Sequence, residues 1–231
     1  MDDPILFIPG LLCTEQLFAP QIVAFADRPI MVADHRQHDS ISAIAASILE
    51  QAPARFSLIA LSMGGYIAME IMRKAPERVA KLALLDTNAR ADRPEQADRR
   101  RFLIDLTRKK GFGKVPHLLY PGFVHERREE DEDLKAIVVD MAVETGPEAF
   151  IRQQTALIDR IDARPHLGEI ACPTLVLVGD GDRLTPVDVS REIHEHIPGS
   201  DLVVVAGSGH LSPLEEPEAV TGILREFLNR R

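Results

Sequence analysis

Six short apolar runs, rich in β-branched residues and bounded by turn residues, constrain this chain more than any other feature: residues 5–8, 30–33, 56–61, 81–85, 174–178 and 202–205. Each is nearly continuous rather than alternating. Each therefore predicts a strand covered on both faces, which is the condition of a parallel sheet. Helix-period segments lie between them at residues 40–51, 64–74, 187–196 and 217–228. Asp39 and Ser40 supply a capping signal for the first, and Pro217 stands in the first turn of the last. Strand and helix alternating in this way predict an α/β chain, with a mostly parallel sheet of about six strands and helices on both faces.

The alternation stops between residues 90 and 170. No strand-like run recurs there, charged residues crowd in, and helical patterns cover residues 94–109, 113–119, 128–143 and 147–160. An apolar strand resumes after Cys172-Pro173. The expected organisation is one core, residues 1–89 and 171–231, carrying a helical insertion at 90–170 after its fourth strand.

Composition supports one such unit and narrows its setting. A chain of 231 residues that is 45% hydrophobic buries roughly 70% of its extended surface on folding, enough for a core without disulfides or metals. The formal net charge of −9 repels phosphate backbones and anionic lipid, so neither nucleic acid nor a membrane surface is an expected partner. The longest basic cluster, Arg99-Arg100-Arg101 followed by Arg108-Lys109-Lys110, lies at helical spacing beside acidic residues and reads as a solvated helix face. No apolar run approaches the ~20 residues of a membrane span. The start, Met1-Asp2-Asp3-Pro4, is acidic where a signal peptide is basic. Cys13 and Cys172 are distant and form no metal-type pair. A cytoplasmic protein without metal or cofactor is expected.

The residues that carry chemistry cluster at strand ends. The run 56–61 passes through Ala60-Leu61-Ser62-Met63-Gly64-Gly65 straight into a helical segment, a variant of the nucleophile elbow G-x-S-x-G with alanine at the first glycine. Small residues are needed because strand and helix nearly touch, and the helix N-terminus favours negative charge beside Ser62. By itself Ser62 reads equally well as a helix cap. After the next strand but one come Gly179-Asp180-Gly181-Asp182, and after the last come Gly207-Ser208-Gly209-His210. An acid and a histidine thus follow the serine in the order Ser, Asp, His, each past a strand's carboxyl end, where an open parallel sheet lets them converge.

With these motifs the sequence resembles the α/β-hydrolase family over essentially its whole length. Leu6-Phe7-Ile8-Pro9-Gly10-Leu11-Leu12 is similar to the family's segment after its first central strand, with Pro9 where a histidine is usual. Asp34-His35-Arg36-Gln37-His38-Asp39-Ser40 loosely resembles the family loop D-x-R-G-H-G-x-S, and its histidines read as structural or solvent-facing. The resemblance implies an α/β-hydrolase fold whose two N-terminal strands are missing, with the insertion as a helical cap. It implies Ser62 as nucleophile, His210 as base and Asp182 as its acid partner, with the backbone N–H groups of Leu11 and Met63 as the oxyanion hole. Asp180 competes with Asp182 for the acid role, and Asp86, after the fourth strand, is a more remote substitute.

Other motifs carry less. Gly179-x-Gly181 and Gly207-x-Gly209 lack the third glycine of a dinucleotide fingerprint, Gly113-Lys114 is followed by Val115 rather than the Ser or Thr of a P-loop, and His194 and His196 point to different sides of one helix. The expected reaction is cleavage of a small or medium carboxylic ester through an acyl-enzyme. An enol-lactone or C–C bond hydrolase, and a non-enzymatic small-molecule binding protein on the same scaffold, stay open. Expected pocket residues are Cys13, Leu118, Tyr120, Phe123 and Phe150, although apolar residues at such spacing also build a cap's own core.

Overall fold

The computed structural model describes residues 3–230, so Met1 and Asp2 of the acidic start lie outside it. Six strands form one sheet in the order β2-β1-β3-β4-β5-β6, every neighbouring pair parallel. They are β1 (Ile5–Ile8), β2 (Ile30–Val32), β3 (Phe56–Leu61), β4 (Val79–Leu85), β5 (Thr174–Gly179) and β6 (Asp201–Val205). β1, β3 and β5 are buried throughout and β4 over most of its length, as expected, but the edge strands β2 and β6 are largely half-buried because each has a neighbour on one side only. Alternate side chains feed opposite faces. Ile5 and Phe7 join a core cluster with Phe18, Leu224 and Phe227, whereas Leu6 and Ile8 join one with Ile44, Ile67 and Ile193.

The helices are α1 (Ala19–Ala24), α2 (Ile41–Gln51), α3 (Met63–Lys74), α4 (Pro94–Lys110), α5 (Val115–Phe123), α6 (Glu132–Ile158), α7 (Arg164–Leu167), α8 (Val187–His196), α9 (Ser212–Glu215) and α10 (Pro217–Asn229). The Ser40 hydroxyl accepts the Ala43 amide at 3.2 Å and so caps α2. Four helices, α4 to α7, lie between β4 and β5, and no strand interrupts them among the described residues. The two expected helices at 128–143 and 147–160 join as α6, which breaks at Gly146 (φ 76°, ψ 165°) just before Pro147. Its first half starts later than expected, at Glu132, because the Asp131 carboxylate caps it by accepting the Leu134 amide. No helix among the described residues is long and apolar enough to cross a membrane.

Chain direction across the sheet reverses at β1: β2 lies to one side and β3 to the other. A crevice opens at such a switch point beyond the carboxyl ends of the strands, where the β1 and β3 loops separate.

Candidate active site

Ser62 sits between β3 and α3 with φ 54° and ψ −113°, a left-handed conformation costly for a residue with a side chain. Surrounding bonds hold it there. The Ser62 amide donates to Leu85 O at 3.0 Å, and the Thr87 hydroxyl donates to Ser62 O at 2.8 Å. Gly64 makes the close approach possible, since a Cβ there stands 2.1 Å from Ile8 O. The expected elbow is therefore present, and Ala60 at its first position is buried without breaking the strand.

The strand ends bring three side chains into line. His210 Nε2 lies 2.8 Å from Ser62 Oγ, and His210 Nδ1 lies 2.8 Å from Asp182 Oδ2. Both the histidine and the aspartate side chains are buried, at 5% and 0% exposure. The Asp182 carboxylate also accepts the amides of Leu184 and Thr185 and the Thr185 hydroxyl, the last at 2.5 Å. Asp180, the competing acid, faces elsewhere: it is half exposed and accepts the Gly207 amide at 2.8 Å.

The charges follow from these contacts. Burial pushes the His210 pKa down, but the Asp182 carboxylate on Nδ1 outweighs it and holds the imidazole above the ordinary histidine value. Burial pushes Asp182 up, and the His210 charge and hydrogen bonds outweigh it, so Asp182 stays below the usual carboxylate range. Asp86 is different. It is fully buried at the end of β4, accepts the Gly179 amide at 2.9 Å and bonds the Ser212 hydroxyl. Burial first, and the Asp182 charge second, raise it well above the ordinary value.

On the other side of Ser62, the Leu11 amide has no backbone partner among the described residues, and Met63 opens α3, where a helix leaves its first N–H groups unpaired. His35 is buried with Nε2 2.9 Å from Gly10 O. Burial lowers its pKa, so the neutral ring donates from Nε2 to that carbonyl. His38 is exposed.

A cavity of about 160 Å³ touches Ser62 and His210. Of the expected pocket residues, Cys13 and Phe123 line it and three do not. Leu118 is 59% exposed, the Tyr120 hydroxyl donates to Arg128 O at 2.7 Å inside the helical insertion, and Phe150 packs on Phe112 with ring centroids 5.4 Å apart. The insertion spends Tyr120 and Phe150 on its own core. Leu119 and Leu103 line the cavity instead. Burial pushes the Cys13 thiol up to about 12, so it stays protonated and is no nucleophile.

Sequence reasoning missed two groups. Glu215, 1% exposed, accepts the amides of Gly209 and Leu211 on either side of His210 and that of His125 from the insertion. The basic cluster is mostly the solvated face expected, with Arg99, Arg101, Arg108, Lys109 and Lys110 exposed, but Arg100 is half-buried and, with Arg99, lines the cavity. Helical spacing gave their direction but not the element that packs there. Among the described residues, no group of three or more His, Cys, Asp or Glu side chains is placed to hold a metal ion.

A serine strained between strand and helix, its hydroxyl on a histidine oriented by a buried carboxylate, is the arrangement of enzymes that form acyl intermediates on serine. The chain belongs to the alpha/beta hydrolase fold family, whose pattern matches residues 39–217. It is 30% identical to a putative carbamate hydrolase RutD of Agrobacterium fabrum, over 97% of this chain and 92% of that one. It is 26% identical to a pimeloyl-[acyl-carrier protein] methyl ester esterase of Neisseria meningitidis, over 96% and 86%. Among solved structures, a thermophilic esterase from Thermogutta terrifontis superposes with a TM-score of 0.88 at 28% identity, over 99% of this chain and 90% of that one.

Proposed function

We propose that this hydrolase cleaves a small or medium carboxylic ester through an acyl-enzyme on Ser62. The observation that carries the reading is the imidazole of His210, 2.8 Å from Ser62 Oγ on one side and 2.8 Å from Asp182 Oδ2 on the other. His210 takes the Ser62 proton at Nε2 as Oγ attacks the acyl carbon. Asp182 fixes the Nδ1–H tautomer and stabilises the imidazolium. The N–H groups of Leu11 and Met63 hold the oxyanion, with the α3 N-terminus behind them. Collapse passes the proton from His210 to the leaving alcohol. A water molecule, deprotonated by the same imidazole, then attacks the acyl-enzyme, releases the acid and restores Ser62.

The ester preference is supported by the two esterases among the relatives and by the apolar walls of Leu11, Leu103, Leu119 and Phe123. The cavity is close to the ~150 Å³ that holds one benzene, so a compact acyl group fits best. Residues 90–170 act as a cap over the core formed by 1–89 and 171–231. Both cysteines are free thiols, which suits a reducing compartment, and we assign the enzyme to the cytoplasm.

The test is an ester and thioester screen with Ser62→Ala as control. Loss of on the order of 10⁴–10⁶ in turnover is expected, together with loss of fluorophosphonate labelling. Near wild-type turnover by Ser62→Ala sinks the assignment.

A further inference from the structure

The cavity beside Ser62 has a charge that the rest of the chain does not prepare for. The sequence holds 36 Asp and Glu against 27 Lys and Arg, yet the cavity wall contains Arg99, Arg100 and Arg160 and no carboxylate side chain. One carboxylate stands behind it. The side chain of Asp92, 1% exposed, bonds Arg100 Nε at 2.6 Å and also pairs with Arg160. Two guanidiniums thus share one negative charge. The Arg99 side chain, exposed at the mouth of the cavity, makes no hydrogen bond or ion pair among the described residues. The wall carries an excess of about two positive charges, reckoned as three arginines less Asp92.

This wall is built rather than incidental. Arg160 has a side chain 3% exposed, donates to Arg90 O and Leu157 O at 3.0 Å each, and lies 4.3 Å over the Tyr66 ring. Arg100 donates to Gln154 Oε1 at 3.0 Å. Cations held this firmly beside a void, with less than one anion each, are poorly compensated. Guanidiniums bind carboxylates through paired N–H donors, as Arg100 does with Nε and Nη2 on Asp92, while Arg160 reaches the same carboxylate through Nη1.

We propose that the substrate is a small ester that carries a free carboxylate, which docks on the arginine wall while its ester reaches Ser62. The proposal rests on the hydrolase reading above and adds the substrate class. The carboxylate belongs either to the acyl part, as in a monoester of a dicarboxylic acid, or to the leaving alcohol, as in an O-acyl hydroxy acid.

The test compares monomethyl esters of glutaric, adipic and suberic acids with their dimethyl esters, and 4-acetoxybutyrate with its methyl ester. Wild type is expected to prefer an acid ester over its neutral partner by about 10–100-fold in kcat/KM, the scale of one charge-assisted contact. Arg99→Gln should cut that preference at least ~10-fold, mainly through KM, and added salt should do the same. Arg101→Gln, an exposed residue outside the wall, should leave it intact. Which pair shows the preference assigns the carboxylate to acyl or alcohol. Equal turnover of acid and neutral esters, or an Arg99→Gln loss shared equally by both, overturns the inference and leaves the hydrolase standing. Thermal stabilisation by glutarate or adipate separates the two claims. If it is seen in wild type and lost in Arg99→Gln, it supports the anion site even where no ester is cleaved, and its absence counts against the site.

Discussion

Substituting Gly64 by alanine tests how the site is assembled. The added Cβ lies 2.1 Å from Ile8 O and 2.8 Å from Pro9 O, both backbone atoms. Reaching ordinary contact at 3.4 Å requires about 1.3 Å of separation between the end of β1 and the start of α3. No side chain can turn aside, so two buried elements must part. Overpacking of this kind costs about 1–3 kcal/mol. At roughly 2–4 °C per kcal/mol for a chain of this size, Tm should fall by about 2–12 °C. The catalytic cost should be larger than that drop suggests. Leu11 follows β1 and Met63 opens α3, so the wedge separates the two amides proposed for the oxyanion. A misplacement near 1 Å costs on the order of 10²-fold, and losing one oxyanion donor 10²–10³-fold. The assay is kcat on an activated ester, with folding verified by circular dichroism and Tm by scanning fluorimetry. A Gly64→Ala protein with wild-type Tm and kcat would refute both the close approach and its link to the oxyanion.

Further outcomes are expected from His210 and the groups around it. The proposed mechanism needs neutral His210, whose pKa is held above the ordinary value by Asp182, so kcat/KM should fall as pH drops through that raised pKa. In Asp182→Asn the burial is opposed only by the lesser charges of Asp86 and Glu215, so the acid limb should move to lower pH while kcat falls by about 10⁴, as for other triads. Asp180→Asn should change neither, and a pH–rate profile that moves with Asp180 instead reassigns the acid. Glu215→Ala strips the acceptor from three amides beside His210; at about 1–3 kcal/mol for each amide left unpaired, urea unfolding should show a loss of at least ~3 kcal/mol. A loss under 1 kcal/mol means water replaces the carboxylate.

What the sequence made legible, and what it did not, follows from how far each signal reaches. Strands buried on both faces announce themselves as continuous apolar runs, so β1 and β3 fall on their expected residues and β4 gains only Val79 and Ala80. Ser62, Asp182 and His210 were readable because each stands just past a strand, and parallel strands gather such ends. The short helices α1 and α9, of six and four residues, are too brief to show a period. Leu118 and Leu119 are neighbours in one helix and differ by about 100° in direction, so one faces solvent and the other the cavity. Spacing alone does not say which. Tyr120 and Phe150 are apolar by the same count as Phe123, and only the packing of α5 on α6 separates core from wall.

The helices between β4 and β5 do more than line the cavity, because they also bond to the turns that flank Ser62. The turn after β1 carries Pro9, and Leu12 there adopts φ 61°. Two distant side chains hold that turn. His35 donates to Gly10 O from a core loop, and Gln153 of α6 accepts the Leu12 amide at 3.2 Å. Gln153 is fully buried, and its Nε2 finds no partner among the described residues. The Leu12 bond alone therefore sets its orientation, since the flipped amide would face one donor with another. At the opposite side, Phe123 O accepts the His210 amide at 3.1 Å and the Phe123 ring stacks on the imidazole. Elements α5 and α6 thus hold His210 and the neighbour of the Leu11 amide in place, while α4 and the segment after α6 bring Arg100 and Arg160 to the cavity wall.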